Sequence, residues 1–149
     1  MSENKNLERT GNCLCSAVRF KAKLKSTHLG VCHCSICRKW GGGPSIAAEC
    51  ERDFGIANGA EYVKWYKSSD WAERAFCSQC GSNLFVRVNE DVADYCGVFP
   101  ALLDNEEGLS VREHIYTDCK PPYYDFADDC KQLTEAEFLA MFAEKPSDE

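Results

Sequence analysis

Val18, Phe20, Ala22 and Leu24 alternate with Arg19, Lys21, Lys23 and Lys25. Successive side chains of a strand point to opposite faces, so this run predicts a half-buried strand with a basic, solvated outer face. Leu29-Gly30-Val31 follows as a second apolar stretch, and Gly41-Gly42-Gly43-Pro44 is a breaker or close-approach loop. Residues 45–50 read as a short strand, and Asn58-Gly59 as a hairpin turn before a strand over 62–66. Residues 84–88, 95–103 and 114–116 add further short strands. The end of the chain changes period. Thr134 and Glu137 form a capping-box pattern, and Phe138, Leu139 and Phe142 share a side of the turns that follow, with Pro146 beyond. The spacing predicts a short amphipathic helix over 134–144, packed on the sheet. Residues 1–10 are polar and read as a flexible N-terminus. Residues 11–149 read as a single, mainly β domain with one C-terminal helix.

Composition narrows the function. The chain has 149 residues and a formal net charge of -7, which argues against nucleic acid or an anionic membrane as the main partner. The N-terminus lacks the apolar core of a signal peptide, and no apolar run reaches the length of a spanning helix. The expected setting is cytoplasmic, where thiols stay reduced and clustered cysteines more often hold metal than form disulfides.

Eleven residues are cysteine, several times ordinary usage. Seven of them fall in three clusters: Cys13-x-Cys15, Cys32-x-Cys34-x-x-Cys37 and Cys77-x-x-Cys80. In an extended segment, residues i and i+2 share a face and can offer two sulfurs to one ion. A Cys-x-x-Cys turn curls two sulfurs around one point, and Gly81 suits the tight backbone after Cys80. Seven ligands divide into four and three. Cys13, Cys15, Cys77 and Cys80 would make a closed, structural zinc site. Cys32, Cys34 and Cys37 would hold a second zinc with one position left open, the usual form of a catalytic zinc. Candidates to close that site instead are Cys50, Cys96, Cys119, Cys130, His33 and His114. His33 should point away from the sulfurs if its segment is extended. Two filled sites would take the formal charge from -7 to about -10.

These residues, taken with their flanks, resemble a family. The ordered set is Gly11-x-Cys13-x-Cys15, Cys32-His33-Cys34-Ser35-x-Cys37-Arg38-Lys39, Tyr66-x-Ser68-Ser69, Arg74-x-Phe76-Cys77-x-x-Cys80-Gly81-Ser82-x-Leu84, Leu103-Asp104 and His114-Ile115. It resembles the glutathione-dependent formaldehyde-activating enzymes and the centromere protein V-like proteins, over about residues 11–129. The resemblance implies a β-tent fold with short antiparallel sheets around two zinc ions per chain. It implies structural zinc on Cys13, Cys15, Cys77 and Cys80, and catalytic zinc on Cys32, Cys34 and Cys37. It also implies carbon–sulfur lyase chemistry, the making or breaking of S-hydroxymethylglutathione. Two departures touch pocket walls. Ala101-Leu102 replaces the family's glycine-threonine, and Tyr123-Tyr124 stands where tryptophan is common.

Charge fits that chemistry. Zinc with three thiolates carries -1, a weak Lewis acid for hydrolysis but a good acceptor for a fourth thiolate. A free thiol of pKa about 8.5 is only about 3 percent ionised at pH 7, so coordination raises the anion population up to roughly 30-fold. The expected partners are a small thiol, such as glutathione, and a small aldehyde, such as formaldehyde. Arg38, Lys39, Gly41, Gly42 and Gly43 are the nearest candidates to bind the carboxylates of such a thiol. The alternative reading is a non-catalytic zinc-binding module with two structural sites.

Overall fold

The alternating run becomes the longest strand, β2 (Arg19–Cys32), in a computed structural model that describes residues 7–143. Val18, Phe20, Ala22 and Leu24 are buried, while Arg19, Lys21, Lys23 and Lys25 are exposed. Ten strands form among the described residues, so the chain is mainly β, as expected. They are β1 (Glu8–Asn12), β2, β3 (Ser45–Cys50), β4 (Ile56–Asn58), β5 (Val63–Lys67), β6 (Ala72–Cys77), β7 (Asn83–Val88), β8 (Cys96–Val98), β9 (Ser110–Ile115) and β10 (Lys131–Leu133). Two helices join them, α1 (Ser35–Gly41) and α2 (Glu135–Ala143). The chain divides into two units, one of residues up to His28 with Ala47–Ser110, the other of Leu29–Ile46 with the residues from Val111 on.

In the first unit, β5, β6, β7 and β8 form an antiparallel meander, and β3 pairs with the free side of β8. β1 and β4 both pair antiparallel with the first half of β2. The core is aromatic. Phe85 stacks on Phe54 at 4.1 Å and meets the edge of Phe20 at 5.0 Å. Burying each such ring contributes about 1.5–3 kcal/mol.

Three expectations change here. The stretch expected to be loose through Thr10 is ordered from β1 onward, because Arg9 is buried and donates to the carbonyls of Asn105 (2.7 Å) and Glu107 (3.0 Å); residues 1–6 lie outside the described residues. Asn58-Gly59 does not close a hairpin, since β4 pairs with β2 and a 3-10 turn (Ala60–Tyr62) leads on to β5. Gly59 is nevertheless required, with φ of 81° and no room for a Cβ, which would lie 1.9 Å from the Ala17 carbonyl oxygen. The strand expected over 95–103 stops at Val98, where Pro100 starts a 3-10 turn.

In the second unit, β10 runs parallel to β9, pairing Gln132 with His114. Between them, residues 123–130 form a strap whose side chains alternate, with Tyr124, Phe126, Asp128 and Cys130 turned inward and Tyr123, Asp125, Ala127 and Asp129 exposed. The capping box of α2 is present: Glu137 N–H donates to Thr134 Oγ1 (3.1 Å), and Thr134 N–H donates to the Glu137 carboxylate (2.9 Å). Phe138 packs on Tyr116 at 5.7 Å. The apolar side expected to be covered is largely open, since Leu139, Met141 and Phe142 remain exposed. Glu144, the expected end of this helix, lies outside the described residues. No helix among the described residues is long and apolar enough to cross a membrane.

Candidate functional site

Cys13, Cys15, Cys77 and Cys80 come together in the first unit, each sulfur within 4.8 Å of the others. The first pair lies in a tight turn and not in the extended segment expected. Ser16 N–H donates to the Cys13 carbonyl (3.0 Å), and Ser16 has a left-handed φ of 68°. That turn places the two sulfurs 3.6 Å apart. The second pair is a knuckle at the end of β6, closed by Gly81 N–H on the Cys77 carbonyl (2.7 Å). Ser82 ties the pairs together. Its Oγ accepts from Leu14 N–H (3.0 Å), between the first two cysteines, and its hydroxyl donates to Cys80 Sγ (3.2 Å). That hydroxyl is the largest cause holding the Cys80 thiol down at about 5.

The sulfur separations match a bound ion and not a disulfide. Cys13 and Cys77 lie 3.6 and 3.9 Å from Cys15. A disulfide needs about 2.05 Å. Four sulfurs at the corners of a tetrahedron with arms of about 2.3 Å stand about 3.8 Å apart. The cluster fits a tetrahedral ion such as zinc, and its all-sulfur donor set suits the same metal.

Cys32, Cys34 and Cys37 gather in the second unit, again within 4.8 Å of one another. Cys32 ends β2, and Cys34 is the N-cap of α1, its sulfur accepting from Cys37 N–H (3.4 Å). A sulfur thus does the work usually done by a Ser, Thr, Asp or Asn oxygen. Hydrogen bonds from Cys32 and Cys37, and then the N–H groups of the first helical turn, hold the Cys34 thiol far below its ordinary range, while the same sharing drives Cys32 up. Among the described residues, no fourth Cys, His, Asp or Glu joins this set.

His33 turns away from the sulfurs, as the extended segment predicted. It is 1 % exposed, and both ring nitrogens are engaged. Nδ1 lies 2.8 Å from Tyr124 Oη, and Nε2 lies 3.0 Å from His114 Nδ1. His114, equally buried, places Nε2 3.1 Å from both Asp128 oxygens. Phe126 meets both imidazoles edge-on. Sequence reading named both histidines but missed this chain, and the alternation of residues 123–130 was the signal that could have found it.

The remaining candidates separate. Arg38 sits on α1, but its Nε donates to the His33 carbonyl (2.9 Å), so part of its guanidinium braces the ligand segment. Lys39 is exposed. Gly41 ends α1 and does not open the expected breaker loop; Gly42 caps the helix, its N–H on the Arg38 carbonyl (2.8 Å), and Gly43 follows in the loop. Cys50 and Cys96 are buried in the first unit. Cys119 donates to Glu135 (3.8 Å) and Cys130 to the Val111 carbonyl (3.1 Å). Other motif residues have structural work: Arg74 Nε donates to Ser68 (3.1 Å), and Thr10 donates to the Asp104 carboxylate (2.7 Å) beside the Gly11–Leu103 bridge.

The chain is similar to known proteins. The chain is 33% identical over 132 residues to a protein of Schizosaccharomyces pombe named an uncharacterised lyase, covering 89% of this chain and 95% of that one. It is 38% identical over 84 residues to a protein of Halomonas elongata named as a candidate glutathione-dependent formaldehyde-activating enzyme, covering 51% and 54% of the two chains. A crystal structure of a Rhodobacter sphaeroides protein aligns with a TM-score of 0.56 at 25% identity, over 84% of this chain and 99% of that one. The family model of the glutathione-dependent formaldehyde-activating enzymes matches residues 8–119, a span that includes all seven clustered cysteines, and the chain belongs to that family.

Proposed function

We propose that this protein is a zinc-dependent carbon–sulfur lyase that adds a thiol to a small aldehyde, or runs the reverse elimination. Glutathione and formaldehyde are the pair that family membership favours. The observation that carries the reading is the contrast in donor number. Four sulfurs complete one site, whereas the Cys32, Cys34 and Cys37 set leaves a tetrahedral ion to take its fourth ligand from elsewhere. Zinc bound there would supply a centre that ionises an incoming thiol at neutral pH. The chain's own part is to hold the donors ready. Hydrogen bonds from Cys32 and Cys37, and after them the N–H groups at the start of α1, hold the Cys34 thiol low, and Arg38 fixes the carbonyl of His33. Arg38, Lys39 and the Gly41–Gly43 backbone, next in sequence to Cys37, are the candidates to bind the carboxylates of a glutathione-like ligand.

Exchange NMR on labelled formaldehyde and glutathione tests this directly. The wild-type protein is expected to speed adduct formation and breakdown, and to carry two zinc ions per chain. Cys34→Ser is expected to return the exchange to its uncatalysed rate and to lose one zinc while circular dichroism holds. A Cys34→Ser variant that unfolds would favour the module with two structural sites.

A further inference from the structure

The chain of groups behind the second cluster has a direction. Asp128 accepts twice, from Cys130 N–H (2.9 Å) and from His114 (3.1 Å), as an ionised carboxylate does. A carboxylate has no hydrogen to give, so His114 Nε2 must carry one. Both imidazoles are 1 % exposed and their rings lie 5.2 Å apart, and the chain is read with one N–H on each ring. His114 Nδ1 is then bare and accepts from His33 Nε2–H. His33 Nδ1 is bare in turn and accepts the Tyr124 hydroxyl hydrogen. With one N–H on each ring, a single proton arrangement satisfies all three contacts.

We propose that Asp128 and His114 are positioning residues for the Cys32, Cys34 and Cys37 site. They polarise the chain in the single sense Tyr124 to His33 to His114 to Asp128, and so lock the ring that stands between two of the three sulfur-bearing residues. This rests on the second cluster being a metal site, as proposed above, but not on its turning over a substrate. The lock has a chemical consequence at the open end. The Tyr124 oxygen spends its only hydrogen inward, so any group that meets its other side must donate to it, as a hydroxyl does. A ring held in one orientation fixes the backbone between Cys32 and Cys34; partners bonded directly to ligating side chains are worth ~10–100-fold in metal affinity, which sets the scale for this support.

Nitrogen-15 NMR of the zinc-loaded full-length protein reads the tautomers without an activity assay. Both buried rings are expected to show a protonated Nε2 and a bare Nδ1 at neutral pH. Exposed His28 provides the reference. Asp128→Asn keeps the shape but can donate as well as accept. It is expected to disturb the tautomer pattern of His33, which does not touch Asp128, and to weaken zinc at the three-sulfur site ~10–100-fold against a competing chelator, with the four-sulfur site unchanged. A protonated Nδ1 or an imidazolium in either ring of the wild-type protein would overturn the proposal. So would an Asp128→Asn variant in which His33 and the zinc affinity stay as they were. A protein with the expected tautomers but no lyase exchange would defeat the proposed reaction and leave this inference standing.

Discussion

The two cysteine clusters solve the same problem in opposite ways. The four-sulfur cluster draws its sulfurs from two pairs that lie 62 residues or more apart and is tied by backbone turns and one serine hydroxyl. The three-sulfur cluster takes all its sulfurs from six consecutive residues and is backed by two buried imidazoles. A long-range cluster cannot exist before the fold, so its binding energy is folding energy. A local cluster needs little of the fold to bring its sulfurs together, and it needs support behind it to hold them in one geometry. The first is suited to stabilising a unit, the second to presenting an ion.

The largest effect that sharpens this contrast is at Cys13. Structural zinc in small domains is worth about 10–16 kcal/mol, as much as the whole stability of a typical domain. Cys13→Ala is therefore expected to abolish cooperative unfolding and leave the protein largely insoluble, whereas Cys34→Ser does not. Circular dichroism melts of both variants check this, and a folded Cys13→Ala protein would break the comparison.

A smaller effect concerns Ser82. Its hydroxyl lowers the Cys80 pKa, so that thiolate persists as pH falls until about 5. Ser82→Ala raises that pKa, and a ligand that protonates earlier lets go of its metal earlier. The midpoint of acid-induced zinc release from the four-sulfur site is expected to move upward by on the order of half a pH unit, with the other site unmoved. Zinc release followed with a chromogenic chelator measures both; a shift at the three-sulfur site instead would reverse the assignment. The smallest effect belongs to the cap of α2. Thr134→Ala is expected to cost ~0.5–2 kcal/mol in a thermal melt without changing the zinc content, which would show that this helix does not hold the second cluster together.

The clustered cysteines were the most legible part of the molecule, because Cys-x-Cys and Cys-x-x-Cys spacings act locally and survive any error in the surrounding elements. The first half of β2 was equally plain, since over Arg19–Lys25 one face is buried and the other solvated, whereas its continuation to Cys32 has no such alternation and read only as a second apolar stretch. The misses have physical causes. α1 is seven residues long and capped by a cysteine, so it shows neither a period nor a usual cap. β6 was not read, because Arg74 is buried within it and the burial along Ala72–Cys77 does not alternate. β1 is polar in sequence and is held by pairing with β2 and by Arg9 on two distant carbonyls. The imidazole chain was hidden because its parts lie up to 95 positions apart, and only folding places Asp128 beside His114 and His114 beside His33.

The alternation of residues 123–130 makes chain length a form of information. Tyr124, Phe126 and Asp128 reach inward because they share a parity. Composition can drift at the outward positions with little penalty, but one residue inserted before Tyr124 within the strap, with its ends held fixed, would turn all three outward at once. The strap can be rewritten at every second residue, yet it cannot be lengthened by one.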